Sequence, residues 1–270
     1  MKRDKIYRLL SHGALIFTSL LIIMPLLVMI SSAFKNEMEI FDYPVKLIPN
    51  IAYLDNFVQL YKKFPLYIFN SFKVTFIIMA IQILTASTAA YAFAKIAWKG
   101  REALFLLYIG SVMIPVQVPI IPQFIIIRHL GLYDSHFALI VLGSFTAFGT
   151  FLLRQHFLTI PDSLLEEARI NGASEFYIFS RIMLPLAKPS LAVLTIFSFR
   201  YFWNDFFTPM IYLTTENLKT IPLGMSDFVT QYAVYYGPQM AACLISIIPV
   251  AAVFFAAQEF FVQGITGIKD

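Results

Sequence analysis

Charge is what this 270-residue sequence has least of: Asp, Glu, Lys and Arg together make up 13% of it, about half the share in an ordinary soluble domain. Cysteine is almost absent as well. Cys243 stands alone, which excludes an intramolecular disulfide. The four histidines fall on different segments without metal-ligand spacing, so no metal centre is expected. No Gly-x-x-x-x-Gly-Lys-Ser/Thr run is present to cradle a nucleotide phosphate. No nucleophile–base pair stands out, and there is no internal repeat or low-complexity tract. What is present in excess is apolar: 59% hydrophobic residues, 28 of them Phe, and a mean hydropathy of +0.74. A disordered chain would be poor in aromatics. The composition therefore reads as a single all-α, polytopic membrane domain over 1–270. A spanning helix takes roughly 20 apolar residues, so about six spans fit.

The apolar runs cover about 9–33, 71–98, 103–127, 137–157, 191–213 and 239–262. The first is too long for the apolar region of a cleaved signal peptide and ends in bulky Phe34, so it reads as a span. Pro115, Pro119 and Pro122 interrupt the third. That span should be kinked or locally unwound, with its freed carbonyls satisfied by neighbours or a wet cavity. The net charge of +4 is read through loop topology, not as a nucleic-acid footprint. With the N-terminus inside, inner segments carry twelve Lys or Arg and outer segments six. Both termini and the 158–190 loop are then expected to be cytoplasmic.

That loop is too polar to span and too rich in helix signals to be slack. Pro161-Asp162 marks a helix start, and Ser163 followed by Glu166 fits a capping box. Asn171-Gly172 supplies a left-handed stop. Ser174 can cap a second short helix running to about Leu184, where Pro185 would break it. Ala168 and Gly172 lie four apart on one helix face, small enough for another surface to approach the backbone. Such a helix could dock into a partner's cleft or lie at the headgroup level alone.

Glu166-Glu167-Ala168-Arg169-Ile170-Asn171-Gly172-Ala173, followed by Ile182, Leu184-Pro185 and Pro189, resembles the EAA loop of ABC importer permeases. More narrowly, the chain is similar to the smaller permease of maltose-type carbohydrate importers. The resemblance extends to Asn70-Ser71, Met113-Ile114-Pro115, Trp203-Asn204-Asp205 and Phe261-Val262-Gln263-Gly264. It implies the type I importer permease fold in a bacterial cytoplasmic membrane. The implied partners are a second homologous permease, two cytoplasmic ATPase subunits and an extracytoplasmic sugar-binding protein. ATP would be bound by the ATPases, and this chain would hold no cofactor. Glu166, Glu167, Ala168, Asn171, Gly172 and Ala173 become the ATPase-coupling residues, with Glu166 pairing a basic residue of the ATPase and Gly172 permitting the bend. The family usually has Ala where Glu167 stands, Asp where Asn171 stands and a basic residue where Glu259 stands.

Arg200, Asn204 and Asp205 fall inside the expected fifth span beside Trp203. A charge at mid-bilayer costs about 2.5–3.5 kcal/mol on insertion scales, so these groups should face a partner or a wet cavity. Arg200, Trp203, Asn204 and Asp205 are the substrate-pathway candidates: Asn and Asp to bond sugar hydroxyls, Trp203 or Tyr201 to stack on a sugar face. The competing role is a polar cluster pinning helices together. Gln82, Thr85, Ser87, Thr88 and Gln117 could also face a cavity, although hydroxyls in spans more often bond the preceding turn. The function implied is import of a sugar or oligosaccharide by alternating access. A glycerol-phosphate or polyol importer is the alternative within the family, and a self-contained secondary transporter the alternative outside it.

Overall fold

The computed structural model describes residues 2–44, 46–230 and 233–266, with side chains described at 7–8, 10–44, 46–230 and 233–255. Glu259 and the 261–264 run, both used above, lie outside the described side chains. Among the described residues the regular structure is helical, apart from an antiparallel bridge between Val229 and Val234. The main helices are α1 (Lys2–Ala33), α2 (Phe64–Lys95), α3 (Arg101–Gly110), α4 (Ile120–His129), α5 (His136–Gly143), α6 (Ala147–Thr159) and α7 (Asp162–Ile170). They continue as α8 (Glu175–Leu186, with a π-helical stretch over Ile178–Met183), α9 (Lys188–Trp203), α10 (Phe207–Tyr212) and α11 (Tyr236–Thr266).

Among the described residues, four helical segments are long and apolar enough to cross a bilayer: Leu10–Ala33, Phe64–Lys95, His136–Thr159 and Tyr236–Phe255. The pair α8 and α9 passes the same test across a 77° bend, which makes up to five. The expected span over 103–127 is not one helix. The chain leaves α3 at Gly110, makes a 3-10 turn over Ser111–Met113 and re-enters helix at Ile120. Pro115, Pro119 and Pro122 lack the N–H that would extend α3, so the helix cannot run through.

The chain falls into two compact units, Met1–Leu66 with Gly224–Ile248, and Tyr67–Leu223 with Pro249–Asp270. In the first, α1 is apolar from Leu10 to Ala33, and the most hydrophobic stretch there has no share buried within the chain. Such a surface suits lipid or another apolar surface. Asn56, buried to 2% exposure, donates its amide to the carbonyls of Ala33 (3.0 Å) and Lys35 (2.8 Å) and so ties off the end of α1. The carboxylate of Glu37 accepts the Gly237 N–H at the start of α11 (2.9 Å).

The second unit is organised by α2. Val74, Ile78, Gln82, Ala86, Ala90 and Ala94 recur every fourth residue and are all buried, which places them on one face. Its first half meets Leu139, Tyr212 and Leu223 in one apolar cluster. Its second half presents alanines to Leu153, Phe157, Ile178 and Met183 in another. Small residues matter here because helices in lipid associate by close packing, without a hydrophobic drive between them. Gln82 sits between the clusters and cross-links them, its Nε2 donating to the Gly143 carbonyl (2.7 Å) and its Oε1 accepting from Ser198 Oγ (2.7 Å). Asn70 donates to the carbonyls of Asn217 and Lys219 (2.8 and 3.0 Å), and Ser71 Oγ accepts the Ile221 N–H (2.8 Å). The 217–221 strap is thereby stitched to the first turns of α2.

Candidate functional site

The loop between α6 and α9 is a compact helix–bend–helix. Helix α7 ends in a Schellman motif: Ala173 N–H reaches Ala168 O (3.0 Å) and Gly172 N–H reaches Arg169 O (3.0 Å). Gly172 adopts φ +81°, a left-handed conformation that glycine takes without a Cβ penalty. Ser174 Oγ then accepts the Tyr177 N–H (3.2 Å) and starts α8, as its position suggests.

Several expectations for this loop are corrected. Ser163 does not cap α7. The helix begins at Asp162 after Pro161 and has no side-chain cap, so Ser163 already lies inside the first turn. The Asp162 carboxylate turns instead to Lys95 Nζ (2.6 Å), which also donates to Ile160 O (2.6 Å). These bonds hold the Asp162 carboxyl below its usual range, chiefly through the Lys95 hydrogen bond and charge. Helix α8 ends at Leu186, one residue past Pro185 and two beyond the expected stop. Ala168 does not offer a free small-residue face. With Leu165 (1% exposed) and Ala173 it packs into the cluster built on α2. The surface turned outward carries Glu166, Glu167, Asn171 and Gly172 together with Ile170 (86% exposed) and Phe176 (77%). Asn171 Nδ2 bonds back to Glu167 O (3.0 Å) and steadies the bend.

Three contacts were invisible in sequence spacing, the first two anchoring the loop and the third tying α6 to its neighbours. Arg169 Nε donates to Glu175 Oε1 across the bend (2.7 Å), and Tyr91 Oη of α2 donates to Glu175 Oε2 (2.5 Å). Arg169 and Tyr91 together hold the Glu175 carboxyl below its ordinary range, Arg169 being the larger cause. Arg154, 8% exposed, pairs both oxygens of Glu102 (2.7 and 2.8 Å), donates to Phe93 O (3.1 Å) and lies over the Phe105 ring (4.0 Å). Each partner comes from another helix, so only the fold brings them together.

The expected fifth span is also broken. Helix α9 stops at Trp203, and Asn204 and Asp205 form the joint before α10. Asp205 Oδ1 accepts the Thr208 N–H (3.1 Å), and Asn204 Nδ2 donates to Arg200 O (2.8 Å). The joint opens onto a cavity of about 910 Å³ lined by residues of α2, the 111–123 segment, α5, α6, α9 and α10. Arg200, Tyr201 and Asp205 line it; Asn204 and Trp203 do not. Trp203 is 1% exposed, stacked on Phe199 (5.3 Å between centroids) and edge-on to Phe72 (4.7 Å). It therefore braces the wall, and a sugar cannot stack on it in this conformation. Gln82 lines the cavity but spends its amide on the cross-link described above. Thr85, Ser87 and Thr88 bond carbonyls of the preceding turn.

Residues 82–267 match the family described as binding-protein-dependent transport system inner membrane component. The chain is 32% identical to the arabinooligosaccharides transport system permease protein AraQ of Halalkalibacterium halodurans, over 94% of this chain and 93% of that one. It is 33% identical to the sn-glycerol-3-phosphate transport system permease protein UgpE of Yersinia enterocolitica, over 94% of each. Among solved structures, a chain of a bacterial ABC transporter that imports the acidic polysaccharide alginate superposes with a TM-score of 0.86 at 23% identity, covering 97% of this chain and 98% of that one. The family match and the identities over nearly the full length establish that the chain belongs to the binding-protein-dependent transport system inner membrane components, as a multi-pass permease subunit of an ABC importer.

Proposed function

We propose that this permease passes a neutral sugar or oligosaccharide through the cavity beside α2, α9 and α10. The observation that carries the reading is the charge of the cavity lining. Its charged members are Arg200 and Asp205, which cancel, and the other polar members are amides and hydroxyls. An anionic solute such as a glycerol phosphate would call for surplus positive charge, so the lining favours the substrate class of the arabinooligosaccharide relative over that of the glycerol-phosphate relative.

The 162–185 loop is the energy-coupling contact in this proposal. Its inner face is fixed in the permease core, and its outer face offers Ile170 and Phe176 beside Glu166 and Glu167. Two cytoplasmic ATPase subunits, which bind the ATP, dock one on this loop and one on the corresponding loop of a second, homologous permease. Closure of the ATPase pair moves the loops and switches the permease pair between inward and outward states. An extracytoplasmic sugar-binding protein delivers the solute to the outer face, and both termini lie in the cytoplasm. This chain itself binds no cofactor.

The test is ATP-dependent uptake of radiolabelled neutral oligosaccharides by the complete transporter in proteoliposomes, with glycerol 3-phosphate as the anionic probe. Sugar uptake that requires ATP is expected, and Gly172→Val should abolish it while the subunit still inserts. Uptake that persists without ATP, or that is confined to glycerol 3-phosphate, overturns the proposal.

A further inference from the structure

The polar side chains that line the cavity divide into two groups. One is already committed to the protein: Gln82 is cross-linked at both ends, Ser71 Oγ accepts a backbone N–H, and Thr146 Oγ1 accepts the Gly149 N–H (3.1 Å). The other has hydrogen-bonding capacity to spare. Gln117 and Gln123 both line the cavity, and their amides have no partner among the described residues. Each free amide offers two N–H donors and one carbonyl acceptor.

Gln123 belongs to the first turn of α4, and Gln117 to the proline-broken stretch between α3 and α4. The backbone there closes only short turns, Ile114 N–H to Ser111 O (3.1 Å) and Val118 N–H to Pro115 O (2.9 Å). Pro115 and Pro119 supply no N–H, so the Ser111 and Pro115 carbonyls are met by these short turns in place of α-helical bonds. Irregular backbone at membrane depth is tolerated where it is buried in protein or lines a wet cavity. Here Ser111, Ile114 and Pro119 line the same cavity as the two glutamines.

We infer that the 111–123 break is a hydroxyl-reading wall of the transport pathway, with Gln117 and Gln123 as specificity-determining residues for a polyhydroxylated solute. The inference rests on the proposed role of the cavity as the sugar pathway. An amide that donates and accepts at once matches a sugar hydroxyl, which does the same. Carrying Gln117 on unwound chain, with Gln123 one turn further on at the start of α4, brings backbone carbonyls of the break beside the amides as further acceptors for solute hydroxyls. Arg200, Tyr201 and Asp205 on α9 and its joint supply the second set of contacts. Two polar groups on separate elements fix the orientation of a solute, which either alone would not.

The test uses the complete transporter in proteoliposomes, on a Cys243→Ser background. Gln117→Cys and Gln123→Cys are labelled with a membrane-impermeant maleimide, with Ile48→Cys as a control outside the cavity. Saturating imported oligosaccharide should slow labelling at 117 and 123 several-fold and leave the control unchanged. In parallel, Gln117→Leu and Gln123→Leu should raise the uptake KM for the parent sugar about two- to ten-fold, the range for one lost hydrogen bond. For one member of a deoxy-sugar series the same variants should show no further loss, because the bond is already missing. Absent protection, or an equal KM increase for every deoxy analogue, overturns the inference. Should a Leu variant fail to insert, the labelling result and Gln→Asn variants at the same sites decide it. If the wild type imports glycerol 3-phosphate but none of the sugars, the proposed substrate class fails separately. The variants are then read with that probe, where an unchanged KM removes the wall as well.

Discussion

Tyr91 and Glu175 lie 84 residues apart, yet the tyrosine hydroxyl donates to the glutamate at 2.5 Å. Glu175 in turn holds Arg169 across the Gly172 bend. This chain of contacts fastens the 162–185 loop to α2, the helix whose other half lines the cavity. In the proposed coupling, a displacement of the loop would be delivered through these contacts to a cavity wall. The Lys95–Asp162 pair makes a second tie between the same two elements. The proposed coupling would thus run through α2 as well as through the bend into α9.

Removing that tie gives the first prediction. Tyr91→Phe keeps the ring that packs on Phe157 and Phe179 but loses the hydrogen bond. Its cost should be about 1 kcal/mol of stability, seen as a small fall in the melting temperature of the purified complex. Uptake should fall more than stability does, with ATP hydrolysis continuing. Uptake and hydrolysis falling in proportion would show that the contact does not transmit motion.

Gly172 gives the second. Nothing lies within 4 Å of the position a Cβ would take, so substitution there meets no clash; the cost arises only from φ +81°. A left-handed residue with a side chain costs roughly 1–2 kcal/mol, less for Asn. Uptake should therefore follow the order Gly, Asn, Ala, Val at position 172, measured at equal subunit abundance. Equal activity of the Asn and Val variants would mean that the bend does not need this conformation.

Much of this architecture could be read from sequence because it is local. The break at Pro115–Pro122 follows from missing N–H groups, and the Gly172 stop and the Ser174 cap follow from near neighbours. Charge scarcity and apolar runs were enough to give a helical membrane protein. Non-local geometry could not be read. The side on which Ala168 packs depends on the position of α2. Trp203 is assigned to the pathway from sequence as an aromatic to stack on a sugar face, but the fold turns its ring to Phe72 and Phe199. The Arg154–Glu102 and Tyr91–Glu175 contacts join distant helices, and no spacing rule marks them. Gln117 and Gln123 were the reverse case: ordinary residues in sequence that become conspicuous once the fold sets both amides on one cavity wall.

Gly143 gives the third prediction. A Cβ there would stand 2.8 Å from Ile78 Cγ2 and 3.0 Å from Phe202, beside the Gln82 cross-link to its own carbonyl. Gly143→Ala should push α5 from α2 and destabilise the subunit by about 1–3 kcal/mol, the range for overpacking. Combining it with Ile78→Ala should cost less than the sum of the two single changes, because the added methyl enters the space the isoleucine leaves. Additive losses in the melting temperatures of the four proteins would show that the clash is relieved elsewhere.

Asp134 gives the last. It adopts φ 55°, and its carboxylate accepts the N–H groups of Thr214 and Thr215 (2.8 and 2.9 Å) and the Thr215 hydroxyl (2.6 Å). The clasp joins the turn before α5 to the segment after α10. These bonds, the Thr215 hydroxyl first among them, pull the carboxyl down to about 2 from its ordinary 3.8. A carboxyl lowered on folding contributes stability that is fully present above its unfolded value and is lost as pH falls through its folded value. The clasp should therefore be intact above about pH 4 and released toward pH 2. Asp134→Asn tolerates the left-handed backbone and keeps one acceptor but removes the titrating group. The wild type should lose melting temperature relative to this variant between pH 4 and pH 2 and keep a constant advantage above that window. Parallel curves for the two proteins across the whole range would mean that the carboxylate charge at Asp134 adds nothing to the clasp.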